Sequence, residues 1–371
     1  MRKVQALVAV LPFGTSLLGA LFVSALFFST LLLSTTAIAS TTVLYEHRLP
    51  PGFGQIAPDV SYFFDPSGDF LIDDVLTRSF EKVREYPPQF GYTDAAVWLT
   101  FKYRNPGDIV WLSVNYPMLD DVQIFILDEH QNLLSAYPLG DRLNFIERVL
   151  LRPEFTVPLP ASESPISVYL RVQSGSSLEV PMTISEDVVL RQTMESSAWI
   201  QGLFFGAMVM LGLYHILIFL SSGDRSYLYF GGLSLTMALI QATLWGRSYQ
   251  FLWPESPGWN DIAVSVLINA SNFFGVLYIA KVVKICESHR WINIAAMTLA
   301  TTSAVMVGLS LYLPYADVIY PTLLLSMMTF ITGATIVIVR MRRGYPPAFA
   351  VFVAGLMYTL GSASYILGKL G

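Results

Sequence analysis

The chain has 371 residues, of which 54% are hydrophobic and only 13% are charged. Soluble domains carry about a quarter charged residues, so this composition excludes an ordinary soluble protein and indicates a membrane protein. The net charge of −5 argues against a nucleic-acid partner, and the single cysteine, Cys286, excludes an internal disulfide.

Residues 1–39 have the features of a secretory signal peptide: a basic start at Arg2-Lys3, a long apolar run, and Ala37-Ile38-Ala39 before the expected cleavage site. The apolar run is longer than usual and is interrupted by Pro12, so an uncleaved membrane anchor is the alternative. Both interpretations predict that the chain from Ser40 onward is exported.

Residues 40–185 are predicted to form an antiparallel β-sandwich, because short segments rich in β-branched and aromatic residues alternate with turn-forming segments. One short helix is expected at Ile72–Phe80, where Asp73 and Asp74 suit a first helical turn. The strands are expected at residues 97–103, 109–116, 122–127, 154–159, 166–172 and 180–184.

This exported domain contains no recognisable catalytic arrangement. His47 and His130 stand apart from any acid–base constellation in the sequence, and no glycine-flanked serine or metal-spaced histidine pair is present. We therefore expect a binding domain without enzyme activity and without a cofactor.

Aromatic and acidic side chains supply the candidate ligand-binding residues. Tyr92 and Tyr116 are expected at strand ends, where an aromatic ring can stack on a sugar or a small apolar ligand. Asp120 and Asp121 follow closely and add polar candidates. For the aromatics within the strands, Trp98 and Trp111 above all, the interpretation that we favour is that they face the sandwich core.

A second acidic segment contains Asp65, Asp69, Asp73 and Asp74. Oxygen-rich loops of this kind can bind Ca²⁺, and Asp65 and Asp69 are the candidate ligands for that alternative. The spacing does not match an EF-hand loop, however. A solvated turn followed by a helix cap is the interpretation that we favour.

Residues 198–371 are predicted to form an all-α membrane bundle, preceded by a helical linker at residues 186–197. Basic residues concentrate in the alternate loops that carry Arg225, Lys281–Arg290 and Arg340–Arg343, which places those loops in the cytoplasm. Six spans are expected, at residues 198–220, 227–246, 261–283, 291–313, 318–339 and 348–368.

Polar residues inside these spans are His215, Gln241, Asn269 and Asn272. Hydrogen bonds between helices explain the amides, and a pH-sensitive role is the alternative for His215. Candidate residues for relaying a signal are His215, the turn residues Asp224 and Arg225, and Trp253 in the outer loop. Trp253 and Trp259 also suit an aromatic belt at the membrane surface.

Several motifs together resemble the bacterial seven-transmembrane receptors with diverse intracellular signalling modules. They comprise residues 90–101, Asn105-Pro106, residues 116–120, the hairpin at residues 224–229 and the loop at residues 249–254. The resemblance implies a jelly-roll sensor domain similar to carbohydrate-binding modules and, in relatives, a histidine kinase or diguanylate cyclase after the last helix. His215 departs from the asparagine expected in many relatives.

The leading hypothesis is a homodimeric signalling receptor of the bacterial inner membrane, with residues 40–197 in the periplasm. Its expected partners are membrane lipid, a small-molecule or glycan ligand, and a cytoplasmic kinase or cyclase. With six spans counted, we expect a last helix and an output domain to be missing from this chain by truncation; a degenerate receptor that acts through a separate partner is the other interpretation. The alternatives are a membrane-anchored carbohydrate-binding or adhesion module without relay, and a transporter.

Overall fold

The computed structural model describes residues 60–175, 177–284, 290–353 and 355–356. These residues belong to two compact units. One combines the exported domain with the segment Ala242–Asp261, and the other contains Trp199–Gln241 and the helices from Ile262 onward. The predicted signal peptide, Cys286 and most of the predicted sixth span lie outside the described residues.

The exported domain contains eleven strands within the described residues, and all of their pairings are antiparallel. A six-stranded sheet has the order β2-β1-β4-β9-β6-β7, a three-stranded sheet has the order β11-β5-β8, and β10 pairs with β3. The strands are β1 Ser61–Asp65, β2 Glu81–Lys82, β3 Gln89–Gly91, β4 Ala96–Asn105, β5 Val110–Val114, β6 Asp121–Leu127, β7 Leu133–Leu139, β8 Phe155–Leu159, β9 Ser162–Gln173, β10 Leu178–Glu179 and β11 Met182–Glu186.

The two larger sheets share one hydrophobic core, which confirms the predicted sandwich. Alternate residues of β4, such as Val97 and Leu99, pack in one buried cluster with Leu112 of β5 and Val157 of β8. Because strand side chains alternate between the two faces of a sheet, this period-2 pattern assigns one face of each sheet to the core.

Trp98 is fully buried, but it lies on the opposite face of the six-stranded sheet from this core. Its ring stacks on that of Phe125 at 5.8 Å, and it pairs across the strands with Phe63. Phe63 in turn stacks on Phe70 at 6.1 Å. The prediction that Trp98 faces the sandwich core is therefore wrong. Trp98 is buried on the outer face of the six-stranded sheet, because the segment after β1 covers that face.

The predicted helix at Ile72–Phe80 is also corrected. The helix, α1, contains only Ile72–Val75. The chain then turns, and the ring of Phe80 lies 6.0 Å from that of Tyr169 on β9. The backbone that leads into β2 is extended at this point rather than helical. The contact of Phe80 with the sheet therefore outweighs the helix propensity of residues 76–80.

The second unit is helical. Five helices of the described residues are long and apolar enough to cross a membrane. The first of them is continuous through the predicted linker, as expected. The helices after the sheet domain are α2 Asp187–Ser222, α3 Arg225–Leu244, the short α4 Arg247–Phe251, α5 Pro257–Val282, α6 Arg290–Ser310 and α7 Tyr315–Arg342. Residues 346–353 are again helical.

Small residues allow α2 and α3 to pack closely. A Cβ on Gly212 would lie 2.7 Å from Leu235 Cγ, and one on Gly231 would lie 2.9 Å from Ile216 Cγ1. Ser234 donates a hydrogen bond to the Met208 carbonyl at 3.0 Å. Close backbone approach through small residues is the usual way in which membrane helices associate.

Candidate functional site

A cavity of about 540 Å³ opens on the exported domain, at the junction of β6 and the end of β9. It brings together residues from four separate stretches of the chain. Its lining residues are Asp94, Asp120, Asp121, Arg142, Leu143, Gln173, Ser174 and Gly175. Of the residues expected to bind a ligand, Asp120 and Asp121 line this cavity.

Asp120 connects two walls of the cavity. Its carboxylate accepts hydrogen bonds from the Ser174 hydroxyl at 3.0 Å and from the Gly175 amide at 3.2 Å. The Arg142 guanidinium lies 2.7 Å from the same carboxylate. The side chain of Asp120 is nearly buried and that of Arg142 is largely exposed, so the arginine is the movable partner of this ion pair.

Asp121 has a different cation. Arg171 of β9 donates to the Asp121 carboxylate, to the Gly68 carbonyl at 2.6 Å and to the Gln173 side-chain oxygen at 2.8 Å. Gln173 donates in turn to the Asp94 carbonyl at 3.0 Å. This charged and hydrogen-bonded network orients the polar groups on the cavity floor before any ligand enters.

Gly140 brings the turn that carries Arg142 against Asp120. Its φ is +139°, and a Cβ at this position would lie only 2.2 Å from the Asp120 carbonyl oxygen. No side chain fits such an approach. The segment after Gly140 is thereby held beside the cavity, with Asp141 donating its amide to the Leu119 carbonyl at 2.9 Å.

The same segment contacts the outer loop between α3 and α5. Tyr249 of α4 donates its hydroxyl to the Leu143 carbonyl at 2.6 Å, and the Phe145 amide donates to the Pro254 carbonyl at 2.9 Å. Gln250 donates to the Leu151 carbonyl at 2.9 Å. Three hydrogen bonds therefore attach residues 143–151 to residues 249–254.

Arg148 is the buried cation at the centre of this contact. Its guanidinium carbon lies 4.5 Å from the ring centroid of Phe145, 4.6 Å from that of Phe155 and 5.8 Å from that of Tyr249. It donates to the Arg152 carbonyl at 3.0 Å. Burial lowers the pKa of Arg148 to about 10, so it stays charged at neutral pH and binds these rings by cation–π attraction.

Asp141 faces the other end of the outer loop. Its carboxylate is buried and accepts a hydrogen bond from the Asn260 amide at 3.4 Å. Burial, reinforced by the carboxylates of Asp120 and Asp261, raises the pKa of Asp141 to about 8 against the weaker opposing pull of Arg148 and Arg142. Asn260 also accepts a hydrogen bond from Trp253 Nε1 at 3.2 Å.

Two predicted ligand residues do not line the cavity. Tyr116 is partly buried and packs against the sandwich core, and Tyr92 is exposed on the loop before Asp94. Arg142, Gln173, Ser174 and Gly175 also line the cavity, and they were not among the residues predicted from the sequence. The polar turn around Ser174 was visible in the sequence, but only the pairing of β9 with β6 brings it to Asp120.

Asp65 has a structural role in its loop. Its carboxylate accepts hydrogen bonds from the Ser67 hydroxyl at 2.6 Å and from the amides of Ser67, Gly68 and Phe70 at 3.0–3.1 Å. Burial alone would raise the pKa of Asp65, but these bonds outweigh it and hold the pKa below its ordinary value. The Asp69 amide bonds to Ser67, and among the described residues no acidic or histidine cluster suits a metal ion.

The predicted relay residues occupy separate places. Asp224 accepts a hydrogen bond from the Ser226 amide at 3.0 Å and caps α3, whose first residue is Arg225. His215 of α2 is buried, with Nδ1 2.8 Å from the Leu211 carbonyl and its ring centroid 4.4 Å from that of Phe230. Trp253 contacts Trp259 at 6.0 Å between ring centroids.

The amides Asn269 and Asn272 join α5 to α7, as the interpretation of hydrogen bonds between helices expects. Asn269 donates to Thr322 Oγ1 at 2.8 Å, and Asn272 donates to Ser326 Oγ at 2.7 Å. Hydrogen bonds between polar side chains of membrane helices contribute about 0.6 to 2 kcal/mol each.

Two protein families match this chain. The family described as "7TM diverse intracellular signalling" matches residues 197–371, and "7TMR-DISM extracellular 2" matches residues 57–186. The chain belongs to the seven-transmembrane receptors with diverse intracellular signalling. A comparison with curated proteins found no match.

Membership of this receptor family agrees with the architecture. The sheet domain corresponds to the extracellular sensor domain of the family, and the long apolar helices correspond to its membrane domain. The protein is therefore a multi-pass membrane receptor with an extracellular sensor domain, and its role is in signalling to the cell interior.

Proposed function

We propose that this receptor binds a small polar ligand of carbohydrate type in the cavity lined by Asp120, Asp121 and Arg142. The cavity presents carboxylates, a guanidinium, an amide and a hydroxyl within one concave surface. Side chains that both donate and accept hydrogen bonds suit a ligand with several hydroxyl groups. Tyr92, exposed on the loop that leads to Asp94, offers a ring for stacking at the edge.

The observation that carries the proposal is the double role of residues 140–143. Arg142 faces the cavity and pairs with Asp120, whereas its neighbours Asp141 and Leu143 bond to Asn260 and Tyr249 of the outer loop. A ligand that bonds to both Asp120 and Arg142 draws the guanidinium away from Asp120 and thereby changes the charge around Asp141. Ligand occupancy is thereby coupled to the contact with the first turn of α5, where Asn260 lies.

We propose that the signal then reaches a cytoplasmic output of the kind that relatives carry, a histidine kinase or a diguanylate cyclase. The resemblance of the sequence to this receptor family supports the assignment, and the matching family description names intracellular signalling without naming an enzyme. Such an output acts on the cytoplasmic side of the membrane, opposite the sensor domain.

The test is a thermal-shift screen of the full chain in lipid nanodiscs against neutral mono- and disaccharides. The full chain is needed because residues 246–260 pack on the sensor domain. We expect a rise in melting temperature with at least one sugar, and a loss of that rise in Arg142→Ala and Asp121→Asn. Arg104→Ala is the matched control, since Arg104 is an equally exposed arginine paired with Glu163 elsewhere in the domain.

A sugar-induced shift that survives Arg142→Ala would contradict the cavity assignment. A shift abolished equally by Arg104→Ala would indicate a general loss of stability rather than a binding site. If a ligand binds but replacement of the membrane bundle by a single anchor leaves the cellular response unchanged, the relay is overturned and the adhesion alternative gains support.

A further inference from the structure

An unusual set of exposed apolar side chains surrounds the contact between the sensor domain and the outer loop. Three lie on residues 140–151, which we call the sensor loop. The other two are the last residue of the short helix α4 and its C-cap. We call these residues the apolar rim: Ile146, Val149, Leu151, Phe251 and Leu252, which are between 42% and 71% exposed.

The two halves of the rim belong to segments that are hydrogen-bonded to each other. Gln250, next to Phe251, donates to the Leu151 carbonyl at 2.9 Å. Phe145, next to Ile146, donates its amide to the Pro254 carbonyl at 2.9 Å. The sensor loop and α4 therefore present their apolar side chains from one joined surface.

The backbone beneath the rim is well anchored, so exposure of these side chains is not the result of a loose loop. Phe145 is buried against the ring of Tyr249 at 5.6 Å, and Arg148 is buried between aromatic rings. Within residues 145–151, Phe145 and Arg148 are buried, whereas Ile146, Val149 and Leu151 are exposed. Contiguous exposed apolar side chains on a fixed backbone usually mark an interaction surface.

The position of the rim along the chain identifies its partner. Phe251 and Leu252 lie between α3, which ends at Leu244, and α5, which begins at Pro257, and both helices are of membrane-spanning length. The connection between two spans is short, so its residues lie at the membrane surface. Trp253 and Trp259, which follow Leu252, have the amphipathic character of residues at the lipid headgroup level.

We propose that the apolar rim inserts into the outer leaflet of the membrane, so that the sensor domain contacts lipid directly through Ile146, Val149 and Leu151. The sensor loop thereby acts as a second point of membrane attachment beside the helices. This inference is independent of the ligand cavity and goes beyond it, because the lipid surface becomes a partner of the sensor domain itself.

The test uses the full chain with Cys286 replaced by serine and one new cysteine labelled with an environment-sensitive NBD fluorophore. The labelled variants are Ile146→Cys and Leu151→Cys, in vesicles of phosphatidylethanolamine and phosphatidylglycerol. Leu133→Cys and Leu134→Cys are matched controls, because Leu133 and Leu134 are equally exposed leucines on β7 of the same domain. Each labelled protein is first required to melt at the parent temperature.

We expect a blue shift of the emission at positions 146 and 151, and a loss of intensity when the vesicles contain lipids with a nitroxide near the headgroup. Positions 133 and 134 should show neither change. Equal emission at all four positions would overturn the proposal. A blue shift at 146 and 151 without nitroxide quenching would overturn it as well and would assign the rim to a protein contact, such as a second copy of the chain.

Discussion

Asp141 and Asn260 are buried against each other although 119 positions separate them in sequence, with the Asn260 amide donating to the Asp141 carboxylate at 3.4 Å. Asp141 belongs to the sensor loop and Asn260 to the first turn of α5. Two carboxylates, Asp120 and Asp261, and two guanidiniums, Arg142 and Arg148, act on this pair. The balance of these charges makes the contact sensitive to protonation.

The first prediction concerns pH. The pKa of Asp141 is about 8 in the folded protein and near 3.8 when unfolded. Between these values the folded state keeps a proton that the unfolded state has lost, so the free energy of unfolding falls as pH rises through this window. The Asp141 contribution is fully present below pH 3.8 and is lost as pH passes about 8.

Asp141→Asn, which keeps the shape and cannot ionise, should flatten this decline between pH 5 and 8 as measured by thermal melting of the full chain. Asp108→Asn, at an exposed turn carboxylate, is the control and should leave the slope unchanged. A slope that is identical in the parent and in Asp141→Asn would contradict the assignment.

The second prediction concerns Tyr249. Tyr249→Phe removes only the hydroxyl that donates to the Leu143 carbonyl at 2.6 Å, and it preserves the ring beside Arg148. We expect a loss of about 0.5 to 1.5 kcal/mol in the free energy of unfolding, the usual contribution of one hydrogen bond. Denaturant unfolding followed by tryptophan fluorescence measures it.

Tyr312→Phe provides the comparison for Tyr249→Phe, because Tyr312 is 88% exposed and its hydroxyl lies far from this contact in sequence. It should change stability by less than about 0.5 kcal/mol. Similar effects of both changes would mean that the bond to Leu143 contributes no specific stability.

The third prediction concerns Gly246, which precedes α4. Its φ is +68°, and a Cβ there would lie 2.9 Å from Pro153 Cβ and 3.0 Å from Pro117 Cβ. Gly246→Ala should therefore lower the melting temperature through both backbone strain and collision with two sensor-domain prolines. Strain of this kind costs about 1 to 3 kcal/mol.

Gly223 separates the two causes. Its φ is +71°, almost the same, but a Cβ there meets nothing within 4 Å. Gly223→Ala should show the strain alone, and the excess loss in Gly246→Ala then measures how closely the outer loop packs on the sensor domain. Equal losses would show that the prolines yield without cost.

The fourth prediction concerns the membrane bundle. Asn269→Leu and Thr322→Val, singly and together, form a double-mutant cycle across the 2.8 Å hydrogen bond between α5 and α7. We expect a coupling energy of about 0.6 to 2 kcal/mol in unfolding experiments in mixed micelles.

Thr301 of α6 supplies the control for this cycle, because its hydroxyl bonds only within its own helix, to the Met297 carbonyl at 2.9 Å. Asn269→Leu combined with Thr301→Val should be additive. A coupling as large as that with Thr322 would point to a general distortion of the bundle.

Local sequence pattern predicts the parts of this fold that depend on neighbouring residues. Strand β6 was expected at residues 122–127 and lies at Asp121–Leu127, where buried apolar residues recur at positions 122, 124 and 126 within a run of β-branched and aromatic residues. Strand β7 was not expected, because Pro138 and exposed leucines at its start obscure the alternation on this edge strand. Its pairing with β6 decides its structure instead.

The candidate site is harder to predict because distant contacts create it. Asp120 and Asp121 could be identified as polar residues after a strand-end motif. Ser174 and Arg142 could not, because their place in the site depends on contacts with Asp120: a hydrogen bond from Ser174 across 54 positions, and an ion pair with Arg142 across a glycine turn. Tyr249 was part of the family-like loop, but nothing in its local sequence indicates Leu143 as its acceptor.

The inclusion of Ala242–Asp261 in the same compact unit as the sensor domain has a consequence for how such receptors diversify. Recombination that exchanges only the N-terminal sensor segment leaves the old outer loop behind. Tyr249 and Gly246 of that loop then fit the surface of the original sensor domain and not that of the new one. Successful exchanges must therefore carry both segments or be followed by compensating substitutions. In an alignment of relatives, residues 140–153 should covary with residues 246–260, although a membrane hairpin lies between the two segments in the sequence.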